Sequence, residues 1–523
     1  MDINEFKEFG HAAIDFIVEY LETIRDRPVL SSVEPEYLHD LLPSEMPEQP
    51  EKWQDIMEDL KNQILPGLTH WQSPHFHAFY PSQSSFPSIV GELLTAGIGV
   101  VGFSWICSPA ATELEVIVMD WLGKFLNLPS HFLPSGQGNG GGIIQGSASE
   151  SILVAVLAAR EEKVREMKIK RPELTEGEIR SKLVGYGSIH SNSAIEKSGL
   201  LAATKMRLLD ADETSIMRGE TVEKAIQADL AEDLIPYICV TTIGTTGTCA
   251  FDNMEEIGPV CKKYSVWMHI DAAYAGAVFC LPEYAHIMKG IEYGDSINFN
   301  LHKWMLVNFD CAAMWIKDAG KLTQSFNVER IYLDHKYQGA SKAPDYRHWQ
   351  LALGRRFRSL RVWITFRTYG QQKIREWLRK HISLASLFLE YLATDDRFEA
   401  TGQSLALAFF RLKGDDTLTR KLLDRINDRK NIYMIPAFYQ NKVIIRFVIC
   451  GLDPVEKDIE YAWNEIKTVA DELLAENEAA EKLQIKLSEN AENEIETVKD
   501  KVNFVTENIS QSFSICEQEK TVH

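Results

Sequence analysis

The sequence lacks paired cysteines, a basic stripe and a long uninterrupted apolar run. Its eight cysteines are scattered without any CxxC spacing, which favours reduced thiols in a cytoplasmic protein over a disulfide framework or a metal site. The first eight residues are largely acidic and polar, so no secretory signal is expected. The most apolar window, residues 86–103, is broken by Glu92 and several glycines. We therefore expect a buried core segment there and no membrane span.

The charge of the chain is mostly of one sign, with 75 acidic and 55 basic residues and a formal net charge of −20. Such an excess repels phosphates and argues against a nucleic-acid partner. The length of 523 residues exceeds what one hydrophobic core supports, so two or three domains are expected.

The pattern along the chain predicts four segments. Residues 1–85 carry apolar residues at helical spacing, which predicts a helical arm that packs on a partner subunit. Residues 86–355 alternate helical stretches with short β-branched runs, and residues 356–474 combine helices and short strands in a smaller α+β domain. Residues 475–523 are rich in Glu, Asn and Lys. Their charge pairs support transient helix at most, so we expect mostly disorder.

Short strands are predicted within the two middle segments. Residues 237–243 and 266–270 are apolar runs bounded by Gly or Asp and are too short for helices. Such continuous runs are typical of parallel strands covered on both faces. They predict an α/β fold with a mostly parallel sheet, and residues 406–411 and 443–448 add strands to the smaller domain.

Two glycine-containing loops lie between residues 136 and 149. Residues 136–141 match GxGxxG, but Pro134 precedes them and no strand leads into them, so a flexible loop is favoured over a dinucleotide site. Residues 146–149 (Gly-Ser-Ala-Ser) precede a predicted helix from Glu150. Exposed N–H groups at a helix start suit an anion such as phosphate, although a simple helix cap uses the same residues.

An acid and a lysine follow further along the chain. Asp271 directly follows a predicted buried strand, where α/β folds bind ligands or where an acid caps a turn. Lys303 is flanked by apolar and aromatic residues, which should depress its pKa and make its amine a nucleophile towards a carbonyl. An anion cradle, a carboxylate for a pyridinium nitrogen and a Schiff-base lysine are together what pyridoxal phosphate (PLP) requires.

The chain resembles the aromatic L-amino acid decarboxylase family, the group II PLP decarboxylases of fold type I. The likeness runs to about residue 474 and is carried by residues 102–115 (GFSWICSPAATELE), 146–150 (GSASE), 271–276 (DAAYAG), 300–304 (NLHKW) and 345–350 (DYRHWQ). It implies a seven-stranded, mostly parallel sheet with helices on both faces, a helical N-terminal arm and a small α+β C-terminal domain. It also implies an aromatic amino acid as substrate and a homodimer with a shared active site.

The resemblance assigns roles to matching positions. Lys303 is expected to bind PLP covalently, Asp271 to pair with the protonated ring nitrogen, and Thr246 to contact the cofactor. Tyr332 matches a mobile-loop tyrosine that closes over the pocket and serves proton delivery. The residues expected around the phosphate are Ala148, Ser149, Ser296, Asn300 and His302. Those expected at the substrate are Trp71, Phe79, Tyr80, Pro81, Ser82 and Asn192, together with Val101 and Phe103 of the other subunit.

Asn192 departs from the ordinary decarboxylases. In those enzymes a histidine stacks on the PLP ring a few residues after a Tyr-x-Ser segment. In residues 186–196 of this chain the matching position holds Asn192, and His190 lies two residues earlier. Phe79-Tyr80 likewise reverses the usual Tyr-Phe order. Both features resemble the aromatic acetaldehyde synthases of the same family.

The change from histidine to asparagine has a chemical consequence. A histidine can deliver a proton to the carbanion left by decarboxylation because its pKa lies near neutrality, whereas an amide does not titrate. Slower protonation lets dioxygen react instead, and a tenfold change in this partition needs only about 1.4 kcal/mol. The sequence therefore predicts decarboxylation coupled to oxidative deamination, with L-dopa as the best candidate substrate and O2 as co-substrate.

Three other functions stay open from the residues. A conventional decarboxylase would release dopamine or a related amine, and the retained Tyr332 fits this alternative. An aminotransferase would need an arginine for a second carboxylate, for which Arg355 and Arg356 are available. A binding scaffold without cofactor is disfavoured by the intact lysine, acid and phosphate loop. The sequence does not rank L-dopa against tyrosine, phenylalanine or 5-hydroxytryptophan.

Overall fold

Two separate sheets contain the strands of the computed structural model, which describes residues 1–335, 337 and 344–518, with side chains described to residue 512. The strands are β1 Gly141–Gln145, β2 Leu183–Ser188, β3 Lys205–Leu209, β4 Ile235–Thr242, β5 Trp267–Asp271, β6 Ser296–Phe299, β7 Ala312–Ile316, β8 Phe398–Ser404, β9 Leu407–Leu412, β10 Ile435–Tyr439 and β11 Lys442–Val448.

Helices precede, connect and follow these strands. The α-helices are α1 Ile3–Glu22, α2 Tyr37–Leu41, α3 Trp53–Asp59, α4 Phe86–Ile98, α5 Pro109–Phe125, α6 Ala148–Lys170, α7 Glu176–Lys182, α8 Ala194–Ala202, α9 Gly219–Ala231, α10 Met254–Lys263, α11 Leu301–Trp304, α12 Ala319–Phe326, α13 Arg358–Leu392, α14 Asp416–Asp428 and α15 Glu456–Gln518. Short 3-10 turns include Ala275–Cys280, Pro282–Met288, Ile331–Leu333 and Tyr346–His348.

The larger sheet has seven strands in the order β1-β7-β6-β5-β4-β2-β3. The β3-β2-β4-β5-β6 run is parallel, while β7 lies antiparallel to both β1 and β6. This confirms the predicted mostly parallel sheet, and the runs predicted at 237–243 and 266–270 correspond to β4 and β5. Every residue of β4 and of β5 is buried, as expected for inner strands that helices cover.

Helix α6 shows why the sheet has a tightly packed core. Its first half is apolar on most sides, and Ile152, Ala155, Val156 and Ala159 are buried against the sheet. The alanines allow the helix axis to come close to the strands, whereas the last turn is charged and carries Lys168 and Lys170. The helix ends before Pro172, because a residue that precedes proline disfavours the helical conformation.

The smaller sheet is antiparallel, in the order β10-β11-β9-β8. Its strands β9 and β11 match the runs predicted at 406–411 and 443–448. The chain forms two compact units, Met1–Trp463 and Asn464–His523, and both sheets belong to the first. The division of residues 1–474 into arm, large domain and small domain stays a prediction.

The N-terminal helix α1 leaves several of its apolar residues exposed. A capping box formed by Asp2 and Glu5 starts the helix, because each side chain satisfies a backbone N–H of the first turn. None of the residues of α1 is buried, and Ile3, Phe6 and Ile14 are exposed. An apolar face left open in this way fits the predicted packing of the arm on a partner subunit.

The C-terminal tail is helical in the structure, whereas the sequence analysis expects mostly disorder. Helix α15 extends to Gln518. From residue 456 onward the chain has neither proline nor glycine and is rich in Ala, Glu, Lys and Leu, which favour helix. Pairs four residues apart add support, as between Lys482 and Glu478 at 3.7 Å. The expectation gave too much weight to charge and too little to intrinsic helix propensity.

The described residues contain neither a candidate membrane span nor a candidate metal-binding cluster. None of their helices combines the length and the apolar character that a membrane span needs. Nor do these residues bring together three or more His, Cys, Asp or Glu side chains in a way that could hold a metal ion.

Candidate active site

A cavity of about 200 Å³ lies at the carboxyl edge of the larger sheet. The loops after β1, β2, β4, β5 and β6 meet there, because parallel strands end at the same edge. Its lining residues are Tyr80, Ser147, Ala148, Ser149, Ile152, Asn192, Ala194, Thr242, Gly244, Thr246, Asp271, Ala273, Asn300 and Lys303. The structure therefore brings together the predicted Lys303, Asp271, Thr246 and Asn192 and much of the predicted phosphate set.

A larger cavity, of about 800 Å³, lies beside α5 and α12. None of its described lining residues is a lysine, so those residues offer no amine to hold a cofactor covalently. The smaller cavity is the one with the predicted chemistry.

One end of the smaller cavity suits an anion. Helix α6 begins there, and its N-cap Ser147 accepts a hydrogen bond from the Glu150 N–H at 3.2 Å. The first-turn N–H groups and the helix dipole favour a phosphate at this position. Asn300 lines the same cavity, and its buried Oδ1 has no hydrogen-bond partner among the described residues. An unsatisfied buried amide is expected to meet a bound polar group.

Asp271 occupies the last position of β5 and is buried. Its Oδ1 accepts hydrogen bonds from Asn298 Nδ2 at 2.9 Å and from the Ala273 N–H at 3.1 Å. Two donors on one oxygen fix the orientation of the carboxyl group. A carboxylate held in this way suits a protonated ring nitrogen.

Behind Asp271 lies a chain of buried hydrogen bonds, called the relay below, which joins Trp267, Ser296, His269 and Asn298. Trp267 Nε1 donates to Ser296 Oγ at 2.9 Å, and Ser296 Oγ lies 2.7 Å from His269 Nδ1. His269 Nε2 lies 2.7 Å from Asn298 Oδ1. Burial lowers the pKa of His269 to about 4, against the opposing effect of Asp271, so the ring is neutral at pH 7. One ring nitrogen therefore donates and the other accepts.

The direction of each bond in this relay follows from the residues at its ends. Asn298 donates its amide N–H to Asp271, so its Oδ1 must accept from His269 Nε2–H. His269 Nδ1 must then accept from the Ser296 hydroxyl. All the donors point towards Asp271, which stabilises its negative charge.

Ser296, expected around the phosphate, does not line this cavity, and its role there stays a prediction. It lies at the start of β6, paired in register with His269, while Asn298 pairs with Asp271. Its hydroxyl belongs to the relay. Ser296 and Asn300 lie close in sequence, but Ser296 begins β6 and Asn300 follows the end of that strand.

Lys303 follows β6 in the short helix α11. Its Nζ lies 5.3 Å from the centre of the Tyr80 ring. Burial lowers the pKa of the Lys303 amine, partly offset by the nearby negative charge of Asp271. The amine is thus easier to deprotonate than that of an exposed lysine, as its predicted role requires.

Tyr80 forms the wall of the cavity next to Lys303. Its ring stacks on Tyr274 at 3.9 Å, and its hydroxyl donates to the Thr245 carbonyl at 2.7 Å. The Arg446 guanidinium lies 5.2 Å from the same ring. These contacts hold Tyr80 rigidly, and burial raises the pKa of its hydroxyl well above the usual value.

Phe79 points away from the cavity into an aromatic cluster. It stacks on Trp71 at 5.6 Å and lies near Phe76 and Tyr433. Its φ of 52° is rare for a bulky residue. Arg446 Nη2 donates a hydrogen bond to the Phe79 carbonyl at 2.8 Å. A strained backbone held by a buried arginine turns Phe79 and Tyr80 to opposite sides.

The other predicted substrate residues lie outside the lining of this cavity. Pro81 is buried, and the Ser82 carbonyl accepts a hydrogen bond from Gln72 Nε2. Val101 is exposed and Phe103 is half-buried. The expectation that Val101 and Phe103 reach the site of another subunit stays a prediction.

Asn192 lies at the cavity and His190 does not. Asn192 Nδ2 faces Thr246 Oγ1 at 3.4 Å, and its Oδ1 accepts from the Ala194 N–H at 3.0 Å. None of the described residues that line the cavity is a histidine. The position that the sequence analysis singled out therefore presents an amide and no titratable nitrogen.

Two further predicted residues are not brought to the cavity of their own chain. His302 Nδ1 accepts from the Cys311 N–H at 2.9 Å, and burial lowers the pKa of His302 to about 4. Tyr332 lies in the turn Ile331–Leu333, and its side chain is 75% exposed. Their assigned roles in phosphate binding and proton delivery stay predictions.

Sequence reasoning missed the residues that support the site. His269 and Asp271 lie two residues apart on β5, and residues with this spacing face the same side of a sheet. The HxD spacing was therefore the signal that could have placed His269 beside Asp271. Asn298 shows the same relation to Ser296 on β6. Arg446 carried no local signal, because it lies 367 residues from Phe79 in the chain.

Comparisons with known proteins agree with this site. The family model described as the pyridoxal-dependent decarboxylase conserved domain matches residues 35–413. The 3,4-dihydroxyphenylacetaldehyde synthase of Aedes aegypti is 65% identical over 474 residues, which cover 91% of each chain. The aromatic-L-amino-acid decarboxylase of Drosophila melanogaster is 50% identical over 474 residues, which cover 90% of this chain and 92% of that protein.

A solved structure supports the same assignment at the level of the fold. The crystal structure of Oryza sativa TDC with PLP and tryptamine matches with a TM-score of 0.87 and 33% identity, over 90% of this chain and 99% of that chain.

Proposed function

Because this chain belongs to the pyridoxal-dependent decarboxylase family, we propose that it decarboxylates an aromatic L-amino acid and releases an aldehyde. The best candidate reaction converts L-dopa, O2 and water to 3,4-dihydroxyphenylacetaldehyde, CO2, NH3 and H2O2. Two electrons pass from the substrate to dioxygen, which becomes hydrogen peroxide. The carbon–nitrogen bond of the oxidised substrate is then hydrolysed, so atoms and electrons balance.

The observation that carries this proposal is the amide of Asn192 at the cavity. A general acid must titrate near the working pH to deliver a proton efficiently. Asn192 cannot do so, and Thr246 beside it does not titrate in this range either. With no histidine among the described lining residues, protonation of the substrate carbon is slowed relative to its reaction with dioxygen.

The residues present fit PLP. When bound, PLP supplies an electron sink for the pair of electrons that carbon dioxide leaves behind. Lys303 would hold it covalently, and Asp271 would hold a proton at the ring nitrogen. The N-terminus of α6 and Asn300 would bind its phosphate. Tyr80 would exclude water from the side of the cavity next to Lys303.

The relatives support release of an aldehyde and, as the alternative, release of an amine. The 65% identity to a 3,4-dihydroxyphenylacetaldehyde synthase exceeds the 50% identity to an aromatic-L-amino-acid decarboxylase. The conventional alternative, release of dopamine or a related amine, is favoured by one observation. Tyr332, expected to serve proton delivery, is retained in an exposed turn, so a share of amine product is consistent with its presence.

The proposal includes a homodimer that completes the pocket. The exposed apolar residues of α1 and the exposed Val101 offer surface for a second subunit. The exposed position of Tyr332 also suits a residue that acts on the site of a partner subunit.

Product identification from a panel of aromatic amino acids tests this function. Purified enzyme loaded with PLP is incubated with L-dopa, tyrosine, phenylalanine or 5-hydroxytryptophan, in air and under nitrogen. We expect aldehyde, ammonia and peroxide from L-dopa in air, and loss of all three without oxygen. Amine as the sole product in air, with no peroxide, would show the conventional decarboxylase.

A further inference from the structure

The tail helix carries a narrow apolar seam outside the catalytic machinery. Its members recur at alternating steps of four and three residues and are Ala491, Ile495, Val498, Val502, Val505 and Ile509. All of them are exposed, and the five larger ones have more than half of their surface accessible. A face of this kind costs solvation free energy as long as nothing covers it.

The spacing of the seam identifies what covers it. Steps of four and three average 3.5 residues, whereas a straight α-helix has 3.6 residues per turn. A helix that packs on a globular surface shows a wider stripe with a 3.6-residue period. A sustained 3.5-residue period keeps one line of side chains facing another helix of the same repeat. In heptad notation Ile495, Val502 and Ile509 occupy position a, and Val498 and Val505 occupy position d.

We propose that residues 491–509 pair in parallel and in register with the same segment of a second copy of this chain. In that arrangement each of the six seam residues packs against the same residue of the second copy. Each such pair forms one layer of the coiled coil, and all six layers are buried. Glu494 then occupies position g, and Lys499 of the second copy occupies the facing position e. The twofold symmetry forms this attractive pair twice. Among the described residues, neither Glu494 nor Lys499 forms an ion pair within its own chain.

Charge selects the parallel orientation over the antiparallel one. An antiparallel pair that keeps all six layers would join 491 to 509, 495 to 505 and 498 to 502. It would place Lys499 beside Lys499 of the second copy, and Lys501 beside Lys501 of the second copy. Facing like charges disfavour a coiled coil, and facing opposite charges at e and g set orientation and partner choice.

This contact is separate from the proposed catalytic dimer and from the reaction. The seam residues lie in the unit Asn464–His523, and none lines the cavity that holds Lys303. Substitutions along the seam are therefore expected to leave product identity and turnover unchanged.

Disulfide trapping in the full-length holoenzyme tests the pairing. Ile495→Cys is compared with Phe504→Cys, a more exposed apolar position on the same helix but off the seam. After mild oxidation, linked peptides are identified by mass spectrometry. We expect a 495–495 link between copies in Ile495→Cys and no 504–504 link in Phe504→Cys, because only seam positions come within disulfide reach. Equal yields from both variants, or no 495–495 link, would overturn the proposal.

Two further comparisons establish register and orientation. In the Ile495→Cys background, Val502→Glu should abolish the link, while Phe504→Glu should leave it intact. Glu494→Lys should weaken the link, and the double reversal Glu494→Lys with Lys499→Glu should restore it. A variant with both Ile495→Cys and Val505→Cys that forms only 495–505 links between copies would show antiparallel pairing and contradict the proposal.

Discussion

Asn298 donates a hydrogen bond from its side-chain amide to Asp271 Oδ1 over 2.9 Å, while its own carbonyl oxygen accepts from His269. The amide therefore connects the carboxylate at the cavity to a buried relay that continues through Ser296 to Trp267. This support for the Asp271 carboxylate consists of four side chains, Asn298, His269, Ser296 and Trp267, and none of them lines the cavity.

Replacing Asn298 by alanine tests this connection. The loss of one hydrogen bond to a charged group corresponds to about 1.5 to 3 kcal/mol, so we expect the affinity for PLP to fall by about tenfold to a hundredfold. Absorbance titration of the apoenzyme with PLP measures the change. Asn308→Ala, outside the relay, serves as the control, and equal losses from both variants would contradict the role of Asn298.

Ser296→Ala distinguishes the relay from phosphate binding. If Ser296 belongs to the relay, its loss weakens binding of PLP and of pyridoxal, which lacks the phosphate, by the same factor. If Ser296 held the phosphate, only PLP binding would weaken. We expect equal factors when both are titrated against Ser296→Ala and the unaltered enzyme. Ser149→Ala, at the start of α6, should show the opposite behaviour.

The lowered pKa of Lys303 predicts how cofactor loading depends on pH. Only the neutral amine attacks the aldehyde of PLP, and burial favours that form. The rate of covalent loading should therefore rise with pH and reach its plateau below the ordinary lysine pKa of 10.5. Stopped-flow absorbance at a series of pH values measures this profile. A midpoint at or above 10.5 would contradict a depressed pKa, and Lys303→Ala should show no covalent loading at any pH.

Tyr80→Phe should destabilise the fold as well as the site. The substitution leaves the buried Thr245 carbonyl without the hydroxyl that now donates to it at 2.7 Å. The carbonyl keeps the hydrogen bond from the Cys249 N–H at 3.0 Å, so the cost is that of one net hydrogen bond, about 0.5 to 1.5 kcal/mol. We expect a loss of that size in the free energy of unfolding, measured by urea denaturation. Tyr433→Phe, in the neighbouring aromatic cluster, should change it by less than half as much.

The sequence predicted the parts of the fold that obey local rules. Strands β4 and β5 were found because buried parallel strands appear as continuous apolar runs, and Lys303, Asp271 and Asn192 because they lie in recognisable motifs. The hydrogen bonds of Ser296 were not predicted because its partners His269 and Trp267 lie on a neighbouring strand, β5. Arg446 was missed because its contacts with Phe79 and Gly247 form only when distant strands come together.

The central claim is that the amide of Asn192 leaves the reaction open to dioxygen. The most direct measurement is the ratio of O2 consumed to CO2 released from L-dopa, in the unaltered enzyme and in Asn192→His. We predict a ratio near one for the unaltered enzyme and a marked fall in Asn192→His, with amine replacing aldehyde. A ratio near zero in the unaltered enzyme, or the same ratio in both, would contradict the account.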